Sequence, residues 1–228
     1  MIIYGKQVSI YALEHHFDDI EAVYILKKEI LPSTLLKKFG SKIKITQNRW
    51  LQSLTKGGNH QGIALKIKEF TQTPFSQMKE ENFLVVLDGL TDVGNIGSIV
   101  RSSYCLGVDG VIACGVNQLN FPAIVRSSSG AMLDMPFLVE KNILDILNEL
   151  KMKGFTLYGA SMDGEAIESK TFKQKRVLVL GSEGKGISKR AKSKLDETIS
   201  ITMKRDFDSL NVSAAAAIII HRMGYGIE

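Results

Sequence analysis

The sequence has few of the residues that mark disulfide-rich, metal-binding or membrane-spanning chains. It contains two cysteines, Cys105 and Cys114, four prolines and one tryptophan in 228 residues. Two widely spaced cysteines do not form a metal-binding pattern, and a single disulfide is unusual in a reducing compartment. We therefore expect both thiols to be buried. The four histidines also lack ligand spacing, so the sequence predicts no metal site.

Long apolar runs are absent as well. No run approaches the length of a membrane span, and the first residues, Met-Ile-Ile-Tyr-Gly-Lys, lack the layout of a signal peptide. The composition, 44% hydrophobic and 23% charged, is typical of a soluble globular chain with a sizeable core. These features predict a cytoplasmic protein with no membrane partner.

The net charge of +5 is distributed unevenly. Residues 1–70 contain 11 Lys and Arg against 6 Asp and Glu, whereas residues 71–228 contain 18 of each. A charged run is usually a solvated face, but this segregation indicates that the N-terminal part meets a polyanion. Nucleic acid is the commonest polyanion that proteins bind.

Short helical and extended patterns alternate through residues 1–70 and predict a small α/β domain. Its glycine-dense loop, residues 56–62, places His60 and Gln61 at a tip that either hydrogen-bonds single-stranded RNA or forms an ordinary turn. Trp50 either stacks on a base or, as is more usual, lies in the core. Periodicity then disappears, which predicts a linker over 71–82 before a second domain, 83–228.

The second domain opens with a continuous apolar strand over residues 83–88, the kind that is buried on both faces of a parallel sheet. Strands and helices alternate after it, which predicts an α/β fold with an open, mostly parallel sheet. Two glycine loops, 94–97 and 181–186, follow strands but lack both dinucleotide-binding and P-loop spacing. They are therefore ligand loops of another kind or tight turns, and a nicotinamide-dependent enzyme is disfavoured.

Near the C-terminus, a strand ending near Ile201 leads through a polar loop to an apolar helix that begins within residues 209–213. Serine and asparagine at a helix start either only cap it or also meet an anionic or polar ligand. Residues 214–220 are four alanines followed by three isoleucines. Three successive positions spread over about 200° of a helix, so we expect a homodimer with this helix at its centre.

Three patterns in this domain occur in a fixed order. They are Asn95-x-Gly97-x-x-x-Arg101, Leu180-Gly-Ser-Glu183-Gly-x-Gly186, and Ile199-Ser-Ile201 followed by Ser209-Leu-Asn211-Val-Ser213. Together they resemble the three motifs of the SpoU/TrmH family of RNA 2′-O-methyltransferases, in the SPOUT superfamily. Residues 125–131 with Pro136 resemble a further family segment. Val93 and Thr202 stand where the family pattern has proline, so the two adjacent loops are expected to differ slightly in shape.

The resemblance implies a fold that spacing alone does not predict. Family members have a deep trefoil knot in the last third of the chain, which holds S-adenosylmethionine. Residues 1–70, with Asn-His-Gln-Gly-Ile at 59–63, resemble the ribosomal-protein-like RNA-binding domain of members that methylate a guanosine of large-subunit rRNA. The implied activity is methyl transfer from S-adenosylmethionine to a ribose 2′-hydroxyl of RNA, with rRNA preferred to tRNA. A tRNA methyltransferase and a catalytically silent RNA-binding homologue are the alternatives, and the intact motifs argue against the silent one.

The resemblance also implies a set of site residues. The catalytic set is Arg101, Asn95, Glu183, Ser209 and Asn211, and the cofactor-binding set is Gly181, Ile201 and Leu210. A guanidinium is a poor general base because it stays protonated. We therefore expect Arg101 to bind the hydroxyl oxygen and a neighbouring phosphate, so that a phosphate or a water accepts the proton. Asn95 and Glu183 position Arg101 and the ribose, whereas Ser209 and Asn211 hold the loop and contact the substrate. Family members are typically dimers whose active site draws on both chains.

Overall fold

A computed structural model describes residues 1–205 and 209–227. The chain divides into two compact units. The first contains residues 1–71 and 120–133, and the second contains residues 72–119 and 134–228. The sequence interpretation placed all of 83–228 in one domain, whereas the structure assigns 120–133 to the first unit. No helix in the described ranges is long and apolar enough to cross a membrane.

The described residues form strands and helices in alternation. The strands are β1 Ile2–Tyr4, β2 Ile20–Ile25, β3 Ile43–Ile45, β4 Ile63–Ile67, β5 Phe83–Asp88, β6 Gly110–Cys114, β7 Phe137–Glu140, β8 Thr156–Ala166, β9 Arg176–Gly181 and β10 Glu197–Ser200. The helices are α1 Lys6–His15, α2 Ser33–Lys38, α3 Asn48–Leu54, α4 Phe75–Met78, α5 Val93–Cys105, α6 Phe121–Ser127, α7 Ile143–Met152, α8 Lys189–Lys192 and α9 Val212–Tyr225.

The first unit is built on a four-stranded mixed sheet in the order β1-β4-β2-β3. Strand β4 pairs antiparallel with β1 and β2, and β2 pairs parallel with β3. Helix α1 buries Val8, Ala12 and Leu13, whose spacing places them on one face of the helix. Strand β1 was not predicted, because three residues are too short to show a period of two.

Trp50 and His60 of the first unit do not lie where the sequence suggests. Trp50 is 44% exposed and its ring centroid is 4.8 Å from that of Tyr24, so the core interpretation was wrong. His60 is only 5% exposed, and its Nδ1 accepts a hydrogen bond of 2.9 Å from the Gly62 amide. His60 therefore stabilises the turn from inside, and Gln61 is exposed beside it.

The second unit contains a six-stranded sheet in the order β10-β8-β9-β5-β6-β7, and all of its strand pairs are parallel. All six residues of β5 are buried, as the unbroken apolar run predicted. Helices α7 and α8 pack on one hydrophobic cluster with the central strands, and α9 packs against α5 and β9. The predicted α/β fold with a mostly parallel sheet is confirmed.

Two details of this unit differ from the sequence interpretation. Residues 71–82, predicted as a linker, include α4, where Met78 is buried, and the Thr73 amide donates to the Phe137 carbonyl at 3.0 Å. Cys114 is buried as expected, and burial, with nearby Asp88 and Glu140, raises the pKa of its thiol to about 12. Cys105 is exposed, so the prediction of a second buried thiol was wrong.

Candidate active site

A cavity of about 950 Å³ lies in the second unit at the carboxyl ends of β9 and β10. This is the edge at which parallel α/β sheets bind their ligands. The cavity is lined by the middle of β8, the loop after β9, the segment after β10 and the first turns of α9. Six residues predicted from the sequence are among the lining residues: Gly181, Glu183, Ile201, Ser209, Leu210 and Asn211.

The loop after β9 turns back so sharply that glycine is required. A Cβ atom on Gly181 would lie 2.0 Å from the carbonyl carbon of Gly186, which is closer than non-bonded atoms approach in proteins. The Gly186 amide donates to the Ser182 carbonyl at 2.9 Å. Gly184 and Gly186 have φ values of 79° and 64°, a region that favours glycine. The fold-back places residues 181–184, 186 and 187 along the cavity.

Three predicted polar residues meet at the edge of this cavity. The Asn95 Nδ2 donates to Glu183 Oε1 at 3.1 Å, and the Asn211 Nδ2 donates to the same oxygen at 2.9 Å and to Asn95 Oδ1 at 3.0 Å. We call these three residues the amide–carboxylate cluster. It joins helix α5, the loop after β9 and the start of α9, which lie far apart in sequence.

Helix capping fixes the orientation of this cluster. Asn211 is the N-cap of α9, and its Oδ1 accepts from the amides of Ser213 at 2.9 Å and Ala214 at 3.4 Å. The amide group of Asn211 therefore has to turn its nitrogen towards Glu183. Asp92 caps α5 by accepting from the Asn95 amide at 2.7 Å. The sequence reasoning missed Asp92, although an aspartate just before a helix is a recognisable signal.

Arg101 lies apart from the cluster within one chain. It is six residues beyond Asn95 on α5, which corresponds to about 9 Å along the helix axis and about 120° around it. Its side chain is exposed, and it is not among the described residues that line the cavity. The structure thus brings Asn95, Glu183 and Asn211 together beside the cavity but places Arg101 elsewhere on α5.

The two positions that depart from the family pattern are accommodated in different ways. Val93 is the first residue of α5, a position that also accepts proline. Thr202 lines the cavity, and its amide, which a proline would lack, donates to Glu168 Oε1 at 3.2 Å. Hydrogen bonds from its own amide and from Thr202 hold the pKa of the Glu168 carboxyl below its usual range. The substitution therefore adds a link between the segments after β8 and β10.

A hydrogen bond between residues that are far apart in sequence holds the end of the glycine loop in place. Asp88, at the end of β5, is buried, and its Oδ2 accepts from the Ser188 amide at 2.7 Å. This bond ties the end of a central strand to the residue that caps α8. The sequence reasoning missed it, because nothing local to Asp88 or Ser188 indicates that they meet.

A parallel α/β sheet with a glycine loop, a large cavity at the carboxyl edge and a hydrogen-bonded polar cluster beside it defines an enzyme domain that binds an organic cofactor or substrate. A family model described as "SpoU rRNA Methylase family" matches residues 82–221 of this chain. A second model, "RNA 2′-O ribose methyltransferase substrate binding", matches residues 2–73. The chain belongs to the SpoU rRNA methylase family.

Two relatives are similar to this chain over nearly their whole length. The chain is 32% identical to the 23S rRNA (guanosine-2′-O-)-methyltransferase RlmB of Yersinia pestis over 236 residues, which cover 96% of this chain and 94% of that protein. It is 31% identical to RlmB of Photorhabdus laumondii, with coverage of 96% and 95%. The crystal structure of the SpoU methyltransferase AviRb from Streptomyces viridochromogenes with AdoMet is similar in fold, with a TM-score of 0.78, 23% identity and coverage of 97% and 88%.

Proposed function

We propose that this protein transfers a methyl group from S-adenosylmethionine to the 2′-hydroxyl of a guanosine ribose in 23S rRNA. The observation that carries the proposal is the amide–carboxylate cluster beside the large cavity, built from the family's three motifs. The full-length similarity to two RlmB enzymes supports rRNA as the substrate. Such a substrate agrees with the cytoplasmic location expected from the sequence.

The residues around the cavity fit S-adenosylmethionine. Apolar side chains such as Leu180, Ile201 and Leu210 suit an adenine ring, and the hydroxyls of Ser182 and Ser209 suit its polar substituents. The fold-back that excludes a Cβ at Gly181 leaves peptide groups available for hydrogen bonds to the ligand. When bound, the cofactor supplies an activated methyl group on a sulfonium with an excellent leaving group.

The protein's task is to orient a weakly acidic hydroxyl and to ease the loss of its proton. We assign Arg101 to the hydroxyl oxygen and an adjacent phosphate, which leaves that phosphate or a water to accept the proton. Glu183, held by Asn95 and Asn211, positions the ribose beside the cavity. Because Arg101 does not line its own chain's cavity, we propose that it acts in the site of a second copy.

We also propose that the last third of the chain forms the family's trefoil knot. Helix α9 is held at both ends by segments that precede it in the chain. Its N-cap, Asn211, is bonded to Glu183, and near its C-terminal end Arg222 donates to the carbonyls of Ile167 at 3.0 Å and Lys170 at 2.5 Å. The Phe172 amide also donates to the Gly226 carbonyl at 2.7 Å. These contacts anchor both ends of α9 to the segments after β8 and β9, and they support the proposed knot.

Residues 1–70 are proposed as a ribosomal-protein-like RNA-binding domain, and residues 83–228 as the knotted methyltransferase domain. The substrate-binding family model over residues 2–73 supports the first assignment. The +5 excess of charge in the same part of the chain supports it independently, because phosphate neutralisation supplies most non-specific RNA affinity.

The homodimer is proposed to use an exposed stripe of α9. Ala214, Ile218, His221 and Tyr225 recur at helical spacing and are all exposed, with Ile218 at 44% and Tyr225 at 79%. The sequence pattern predicts an interface with all three isoleucines, but Ile219 and Ile220 are buried within the unit. The proposed interface therefore centres on Ile218 and Tyr225, large apolar side chains that are exposed to water.

We expect light scattering at micromolar concentration to give about twice the chain mass of 25.2 kDa. Ile218→Glu should shift the protein to monomers and remove methyl transfer, because a buried, unpaired carboxylate is unfavourable at an apolar interface. Met152→Glu is the control, since Met152 is 79% exposed on α7. An active wild-type monomer would refute the dimer.

The function is tested with labelled S-adenosylmethionine and separately purified 23S rRNA and tRNA. We expect label in 23S rRNA, recovered after nuclease digestion as 2′-O-methylguanosine. Label in tRNA alone would instead support a tRNA 2′-O-methyltransferase. If the protein bound the cofactor and RNA but labelled neither substrate, it would be the silent RNA-binding homologue.

A further inference from the structure

Two sequence features that methyl transfer does not use meet in the first unit. They are the glycine-dense loop at residues 56–62 and the family segment at residues 125–131. Together with the start of α1 they surround a second cavity of about 170 Å³. Its polar lining comes from Tyr4, Gln7, Asn59, Gln61, Arg126 and Ser129. We call it the Tyr4–Arg126 pocket.

An arginine stacked on an aromatic ring forms one side of this pocket. The guanidinium carbon of Arg126 lies 4.6 Å from the centroid of the Tyr4 ring. The Tyr4 hydroxyl packs tightly on Gly58. A Cβ atom added to Gly58 would lie 2.1 Å from the hydroxyl oxygen of Tyr4. Tyr4 is thus held by the glycine loop and by Arg126. Because Arg126 is exposed, its planar guanidinium can also stack on a second flat group.

The backbone around the pocket adopts unusual conformations. Gln61 and Ser129 have φ values of 51° and 57°. Residues other than glycine adopt this left-handed region rarely, because it costs conformational free energy. Such residues concentrate at functional sites. In this conformation Gln61 reaches the start of α1, where its Oε1 accepts a hydrogen bond of 2.8 Å from the Lys6 amide. That bond caps α1, whose N-cap residue, Gly5, has no side chain to do so.

The chemistry of the lining indicates the ligand. It offers carboxamides, a phenol, a hydroxyl and a guanidinium, and none of the lining residues is Asp or Glu. Carboxamides carry donors and acceptors that match base edges, and arginine planes stack on unpaired bases of RNA. The volume admits one planar base but not a duplex. An anionic polymer with single-stranded bases meets all of these conditions.

We propose that the Tyr4–Arg126 pocket binds one unpaired nucleotide of the RNA substrate, separate from the nucleotide that is methylated. The base stacks on the Arg126 guanidinium, and the carboxamides of Asn59 and Gln61 hydrogen-bond its edge. This inference rests on the proposed function and adds to it a contact through which the first unit selects its RNA. Segment 125–131 thereby gains a role in substrate binding.

The test measures the affinity of the full-length protein for end-labelled 23S rRNA transcript by fluorescence anisotropy. Arg126→Gln should weaken binding about tenfold, the scale on which a lost base stack acts. Arg126→Lys should weaken it nearly as much, because lysine keeps the charge but loses the planar stack. In methyl transfer, KM for RNA should rise while KM for S-adenosylmethionine stays unchanged.

Arg49→Gln is the matched control, since Arg49 is an exposed arginine of the same unit outside the pocket. It should change RNA affinity by less than about twofold, as one screened surface charge does at physiological salt. If Arg126→Gln fails to fold by circular dichroism, Asn59→Ala in the exposed loop replaces it and should weaken binding several-fold.

Three results would overturn the proposal. They are wild-type affinity in Arg126→Lys, an equal loss in Arg49→Gln, and tighter binding of GMP than of RNA at the same pocket. Binding is measured without methyl transfer. A wild-type protein that binds 23S rRNA but methylates no RNA would therefore refute the proposed function and leave the pocket's role to be decided by the variants.

Discussion

Replacing Arg101 by alanine is expected to lower kcat for methyl transfer at least about a hundredfold, the usual effect of removing a group that acts on the transition state. The affinity for S-adenosylmethionine and the melting temperature should stay close to wild type. Arg101 is exposed on α5 and is not among the described residues lining the cavity, so its removal leaves the core and the cavity walls in place. Single-turnover methyl transfer to 23S rRNA, isothermal titration with the cofactor and a thermal melt measure the three quantities.

Ser98→Ala is the control for this substitution, because Ser98 is exposed on the same helix three residues earlier. It should retain wild-type activity. Arg101→Ala with wild-type kcat would refute the catalytic role.

Mixed dimers decide whether Arg101 acts in its own chain or in the partner. At limiting S-adenosylmethionine, where Arg101→Ala and Gly181→Ala subunits each have little activity alone, the mixture should recover about a quarter of wild-type activity after random exchange. Half of the dimers are then mixed, and one of their two sites pairs an intact cavity with an intact arginine. No recovery would mean that the arginine serves its own chain's cavity.

Gly181→Ala should lower the affinity for S-adenosylmethionine by about fivefold to a hundredfold, since overpacking commonly costs about 1–3 kcal/mol. The added Cβ would lie 2.0 Å from the carbonyl carbon of Gly186 and 2.2 Å from the amide nitrogen of Ile187. Both atoms belong to the backbone, so no side chain can rotate away. The loop has to open, and it carries Glu183 away from Asn95 and Asn211. Isothermal titration of the cofactor measures the loss.

Gly40→Ala is the matched glycine control. A Cβ at Gly40 meets no heavy atom within 4 Å, and Gly40 lies outside the cavity. This variant should bind the cofactor as the wild type does. Wild-type affinity in Gly181→Ala would show that the tight fold-back is not needed for binding.

Local patterns in the sequence were sufficient to predict the parallel sheet of the second unit. The apolar run of β5 is buried on both faces because every residue before its last, Asp88, is apolar. The ordered motifs also singled out Asn95, Glu183 and Asn211, and the structure joins these three side chains by hydrogen bonds. Capping reinforces this, since Asn211 directly precedes a long apolar helix.

Only the tertiary structure decided which residues meet. Asn95 is 88 residues from Glu183 and 116 from Asn211, and no local propensity extends over such separations. The same reason explains why nothing in the sequence indicated that the loop at residues 56–62 meets segment 125–131, and why Cys105 and Trp50 were expected in the core. Periodicity reports which side of an element is apolar, whereas packing of distant segments determines what that side covers. The composition and motifs of this protein determined its elements and its chemistry, and the path of the chain through space determined its cluster and its cavities.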